Sequence, residues 1–157
     1  MLAFAPAPRP PRPPSPRGAL WRRVLLASAA AAVFATTQPW VLVRFERLFG
    51  VHFGPPGWRS TAGFTCLCTC LLVGMLAVAE TRARSTQEAA RPASAVLVAV
   101  STLALLHEWR DGPGLLRGVT ADWTQAFWLL AASVPALLLA CLMRCREVAR
   151  GKAPDAT

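Results

Sequence analysis

The chain contains no Tyr, no Asn and no Ile, and Lys152 is the single Lys among its 157 residues. Without Asn there is no acceptor for N-linked glycosylation. The missing residue types are those of AT-rich codons, which points to a high-GC, bacterial genome. Charge is also missing from four long stretches. Val24–Val43, Ser60–Ala79, Pro92–Leu106 and Trp123–Met143 hold no Asp, Glu, Lys or Arg. Intramembrane ionisable groups mark proton and ion pathways, so their absence argues against a proton-coupled transporter. Small four-span multidrug transporters carry an acidic residue in the first span; here that region offers only Thr36, Thr37 and Gln38. There is no G-x-S-x-G, H-E-x-x-H, Walker lysine or C-x-x-C pair, so no enzymatic activity is expected.

What is present is apolar length. Hydrophobic residues make up 54% of the chain. Crossing ~30 Å of hydrocarbon takes roughly 20 residues at ~1.5 Å each, and three of the four runs reach that. The run from Pro92 is shorter and spans only if His107, Glu108 and Trp109 complete it. The expected fold is therefore all-α: a polytopic membrane protein with a four-helix transmembrane domain over residues 19–146. Its spans are expected at about 22–43, 60–80, 92–109 and 123–143. Residues 1–18 are a Pro/Arg-rich tail and 147–157 a second tail, both expected to be disordered in the cytoplasm. The polyproline spacings Pro10-x-x-Pro13 and Pro13-x-x-Pro16 lack the flanking Arg of an SH3 ligand.

The formal net charge of +9 sits in tails and loops. It is read as topology and attraction to anionic headgroups, not nucleic-acid binding. Twelve of the 17 basic residues fall on one side of the four-span map and five on the other, which places both termini in the cytoplasm. Arg22, Arg23 and the apolar stretch to Val33-Phe34-Ala35 imitate a signal peptide. The stretch continues to Val43, longer than a signal core, and an uncleaved span is expected. Trp40, Trp58, Trp109 and Trp123 fall at the outer ends of the runs and read as interfacial anchors.

The first outer loop, residues 39–59, fits helical and alternating patterns equally. A short interfacial helix is expected there, because strands in a lone loop leave unpaired edges. Asp122 is placed to cap the fourth helix, and Pro135 to kink it. Cys66 and Cys70 share a helix face with Cys68 pointing away, and they read as small packing residues. A metal set would have to draw on Cys66, Cys70 and His107; no metal or cofactor is expected. His107 and Glu108 close the short third span and are expected to make a polar contact with the first loop or a partner protein.

The Pro39-Trp40 pair closing the first span, the loop ending in Gly57-Trp58 and the Gly/Pro turn between the third and fourth spans form a recognisable layout. Over residues 20–145 it resembles small uncharacterised four-span inner-membrane proteins of high-GC bacteria. The resemblance implies a multi-pass inner-membrane location and transfers no catalytic residues. The expected role is a non-catalytic accessory or scaffold subunit in the lipid bilayer, partnered by another membrane protein or by its own copies. A small oligomeric transporter or pore is the alternative, and a membrane oxidoreductase or metal-binding protein a third reading.

Overall fold

A computed structural model describes residues 16–45, 50–80, 87–113 and 119–152. Four helices carry it: α1 (Pro16–Thr37), α2 (Thr61–Ala79), α3 (Gln87–Asp111) and α4 (Gln125–Lys152). Each contains a stretch long and apolar enough to cross a membrane, of 21, 19, 22 and 23 residues in turn. α1 packs on α2 and α4, and α3 packs on the same two helices, so the four close into a ring. The chain is a multi-pass membrane protein with a helical-bundle fold. Its outer surface supports this: Phe34, Phe64, Leu72, Met75, Leu103 and Leu139 are all exposed. Such a surface is untenable in water and ordinary in hydrocarbon.

The buried stripes follow helical spacing. On α1 they run Leu25, Ala29, Ala32 and Ala35; on α4 they run Phe127, Leu130, Val134, Leu137 and Cys141. Small residues on α1 admit close backbone approach, which matters because lipid tails supply no hydrophobic force between helices.

The helix bounds differ from the expected spans. α1 ends at Thr37, six residues before Val43. The hydroxyls of Thr36 and Thr37 donate to the carbonyls of Val33 and Phe34, each at 2.7 Å, and Pro39 has no N–H to continue the ladder. α1 reaches back instead to Pro16, so Pro16–Gly18 are helical and the expected tail 1–18 is described only from there; residues 1–15 lie outside the described residues. α3 has 25 residues and begins at Gln87, ahead of Pro92, and its membrane-length stretch, Ala90–Asp111, includes His107, Glu108 and Trp109. α4 continues through Pro135 to Lys152, so 147–152 are helical, and 153–157 lie outside the described residues.

The first loop is a correction. It holds no interfacial helix among its described residues but two strands, β1 (Val41–Phe45) and β2 (Val51–Phe53), paired antiparallel with Leu42 opposite Phe53. A third strand, β3 (Val119–Trp123), arrives from the loop before α4 and pairs antiparallel with β1, with Val41 opposite Trp123 and Val43 opposite Ala121. The edge expected to forbid strands is covered by a segment nearly 80 residues later in the chain. Asp122 therefore lies in a strand and does not cap α4; its carboxylate is 3.6 Å from Arg44 on the neighbouring strand.

This sheet end is organised around Trp40, which is buried. Its indole N–H donates to the Ala35 carbonyl at 3.0 Å, closing the C-terminus of α1. Its carbonyl accepts from Thr124 N at 2.8 Å, and the Thr124 hydroxyl donates to Pro39 O at 2.6 Å. The ring meets Phe127 edge-on at 5.6 Å, and Trp123 stacks on Phe127 at 4.0 Å. The other side of the indole lies against Gly57, in a 3-10 turn (Gly57–Arg59), and Gly63 of α2. A Cβ on Gly57 would fall within the ring, and one on Gly63 would sit 2.8 Å from its far carbon and inside the Gly57 carbonyl. Gly74, on the same helix, has open space at its Cβ position.

That contrast gives a controlled test. Gly→Ala inside a helix gains up to about 1 kcal/mol of propensity where there is room, and over-packing costs about 1–3 kcal/mol where there is not. Gly74→Ala is expected to leave the melting temperature in detergent unchanged or raised. Gly63→Ala is expected to lower it by several degrees, and equal melting of the two variants would refute the Trp40 seat.

Candidate functional site

The groups with the most unusual environment lie at the end of the bundle opposite the sheet. Glu80 follows the last residue of α2 and continues its buried stripe of Cys66, Cys70, Val73 and Ala77. Arg144 continues the α4 stripe, one turn after Ala140 and Cys141. Their spacing drives the two side chains toward each other, and both are buried. The Arg144 guanidinium donates to Glu80 Oε2 in a close ion pair. Arg91 of α3 sets its Nε 3.8 Å from the same oxygen, beyond hydrogen-bond range, and that Nε has no hydrogen-bond partner.

One carboxylate thus gathers α2, α3 and α4. Two of the charge-free runs end one residue short of Glu80 and Arg144. The helices carry their buried stripes on through both residues, and Arg144 lies within the membrane-length stretch of α4. The signal was available. Both residues fall at the end of a span on the same side of the map, with opposite charge and in register with the buried positions.

A second polar feature joins α2 to α3 in mid-bundle. The hydroxyls of Thr69 and Ser101 share a short hydrogen bond. Thr69 Oγ1 also lies 2.7 Å from the Thr65 carbonyl and Ser101 Oγ 3.2 Å from that of Leu97, so two hydroxyl protons are shared among three contacts. The Cys66 thiol lies 3.7 Å from the Ser101 carbonyl. Cys66 and Cys70 are buried together, Cys68 is only partly so, and all the cysteines are free thiols. His107 does not join them. Its side chain is 77% exposed, and its Nδ1 lies 3.0 Å from Asp111 Oδ2 on its own helix. No three His, Cys, Asp or Glu side chains gather as metal ligands among the described residues.

The sheet end holds the other predicted residues, and Trp109 lines a small apolar cavity there with Phe127 and Trp128. Trp58 and Trp109 are exposed, and Arg59 lies over the Trp58 ring at 5.7 Å. Trp40 is no anchor: it is buried in the bundle. Trp123 stacks on Phe127 and is half-buried. His107 and Glu108 lie near the end of α3, inside its membrane-length stretch Ala90–Asp111, with His107 exposed and Glu108 half-buried. The contact of His107 with Asp111 lies within its own helix.

No family model matches the chain, and no curated protein or solved structure is similar enough to it to place it.

Breaking a buried pair strands a charge and costs about 3–5 kcal/mol, whereas replacing both partners with apolar residues is often near neutral. Arg144→Met is therefore expected to lower stability sharply and Glu80→Leu likewise. The double variant is expected to recover at least half of the loss, with Arg91 turning to the headgroups. Thermal melts of the three variants in detergent check it; additive losses would show that the pair is not coupled.

Proposed function

We propose that this chain is a non-catalytic accessory or scaffold subunit of a bacterial inner membrane, with both termini in the cytoplasm. The observation that carries the reading is the state of the buried polar groups. Thr36, Thr69, Ser94, Ser101 and Ser133 are buried, and each hydroxyl lies within hydrogen-bond distance of a carbonyl on its own helix. The other buried polar residues among the described ones, Glu80 and Arg144, neutralise one another. Side chains engaged in this way tie helices together and leave little to solvate an ion or activate a substrate. The lipid bilayer, with anionic headgroups against the basic tails, is the primary partner. A second membrane protein or another copy of the chain is the further partner such a subunit requires, and nucleic acid is not among them.

Orientation rests on the basic residues, twelve on the side of the termini and five on the side of the sheet. Reporter fusions after Thr157 and within residues 81–86 are expected to read cytoplasmic, and insertions within 46–49 or 114–118 external. A cytoplasmic signal at 114–118 would break the four-span map.

The scaffold reading itself is tested by reconstitution. Proteoliposomes are expected to pass ions and small dyes no faster than protein-free vesicles. In native membranes, a photo-crosslinker at lipid-facing Val96 or Leu103 is expected to trap one discrete membrane-protein adduct. Flux that scales with protein content would replace the scaffold with the pore alternative.

A further inference from the structure

A groove of about 670 Å³ runs between α1 and α2, floored by Ala29 and Ala30 on one helix and by Gly74 on the other. That volume falls within the ~300–1,000 Å³ of ordinary ligand sites, and the lining is apolar, including Leu26, Val33 and Met75. Along α2 it extends from Cys70 to Ala79, about 14 Å at ~1.5 Å per residue. That matches the ~15 Å depth of one leaflet, half of a ~30 Å hydrocarbon core. It therefore begins near mid-membrane and ends at the charged end of the bundle.

The α1 wall follows one stripe: Val33, then Ala29 and Ala30, then Leu26. The next positions on that stripe, three and four residues before Leu26, are Arg23 and Arg22. Both are exposed, and neither forms an ion pair among the described residues. An apolar channel one leaflet deep thus leads to two free guanidinium groups at headgroup level. Guanidinium groups match phosphate oxygens in a bidentate fork, and basic pockets between membrane helices suit anionic headgroups.

We propose that this groove is a binding site for one anionic glycerophospholipid, with an acyl chain along Ala30 and Gly74 and the phosphate held by Arg22 and Arg23. The inference goes beyond the scaffold role and rests only on the chain spanning a membrane. The full chain, purified in detergent, is incubated with phosphatidylglycerol or with zwitterionic phosphatidylcholine. Native mass spectrometry then counts retained lipid. Phosphatidylglycerol is expected to survive as a one-to-one adduct, at least fivefold more abundant than phosphatidylcholine. R22Q/R23Q is expected to cut that adduct at least fivefold. G74L, which projects a side chain into open space, is expected to do the same while melting like the parent. Equal retention of the two lipids, or an unchanged adduct in R22Q/R23Q, overturns the site. A lipid-free dimer overturns it in favour of a second copy in the groove. Should G74L fail to fold, the surface pair R22Q/R23Q and the lipid comparison decide alone. A chain recovered from the soluble fraction would fail the membrane reading itself.

Discussion

The seat of Trp40 is the contact on which the rest of the structure depends. One indole closes the last turn of α1 through its N–H, fills the space left by Gly57 and Gly63, and meets Phe127 of α4 with its edge. Its own backbone accepts from Thr124, which starts α4. Three helices are thereby fixed relative to one another at a single residue. The sheet follows from this: β1 leaves Trp40 directly, and β3 leads directly into Thr124, so the two strands are brought side by side with their register set. A buried aromatic whose N–H has a partner combines packing with specific orientation, which a purely aliphatic contact between lipid-immersed helices cannot provide.

The opposite end uses different chemistry for the same task. Between helices in hydrocarbon there is no hydrophobic drive, so association rests on packing and on polar contacts. Glu80 supplies the polar contact, drawing Arg144 and Arg91 toward one carboxylate. A buried ion pair contributes less to stability than its Coulomb attraction suggests, because desolvation offsets most of it. Its stronger effect is on which arrangement is allowed. Rotating α2 or α4 by one residue would leave a charge facing lipid, so the pair selects the register that the small residues of the stripes merely tolerate.

The four helices were legible in the sequence because membrane solvent demands apolarity at every turn, and Val24, Ser60, Pro92 and Trp123 open runs that meet the demand. Their ends were less so. Val24–Val43 reads as one span, yet it is a helix, a Pro-Trp corner and the start of a strand, all of them apolar. Only Pro39 marks the change. The sheet was hidden because the pattern of β1 fits two periods and its covering partner, β3, lies in another loop. Trp40 and Trp123 were located at the correct end and given the wrong neighbour. Composition says that an indole belongs near headgroups, but not that Gly57 and Gly63 leave a space shaped for one. Glu80 and Arg144 were legible in principle, since each extends a buried stripe by one turn. Counting charges for topology, loop by loop, separated two residues that the fold joins.

These two fastenings explain why the groove lies where it does. Trp40 holds α1 to α2 at the sheet end, and the groove is absent there; it opens in the half of the helices beyond Val33 and Cys70. At the charged end Glu80 gathers α2, α3 and α4. α1 packs on α4 and on α2. Its wall toward α2 carries Ala29 and Ala30, and α2 answers with Gly74, so there is little side-chain volume to fill the gap. Small residues that allow close approach where helices are pinned leave space where they are not. Arg22 and Arg23 of α1, at this same end, take part in none of the ion pairs among the described residues.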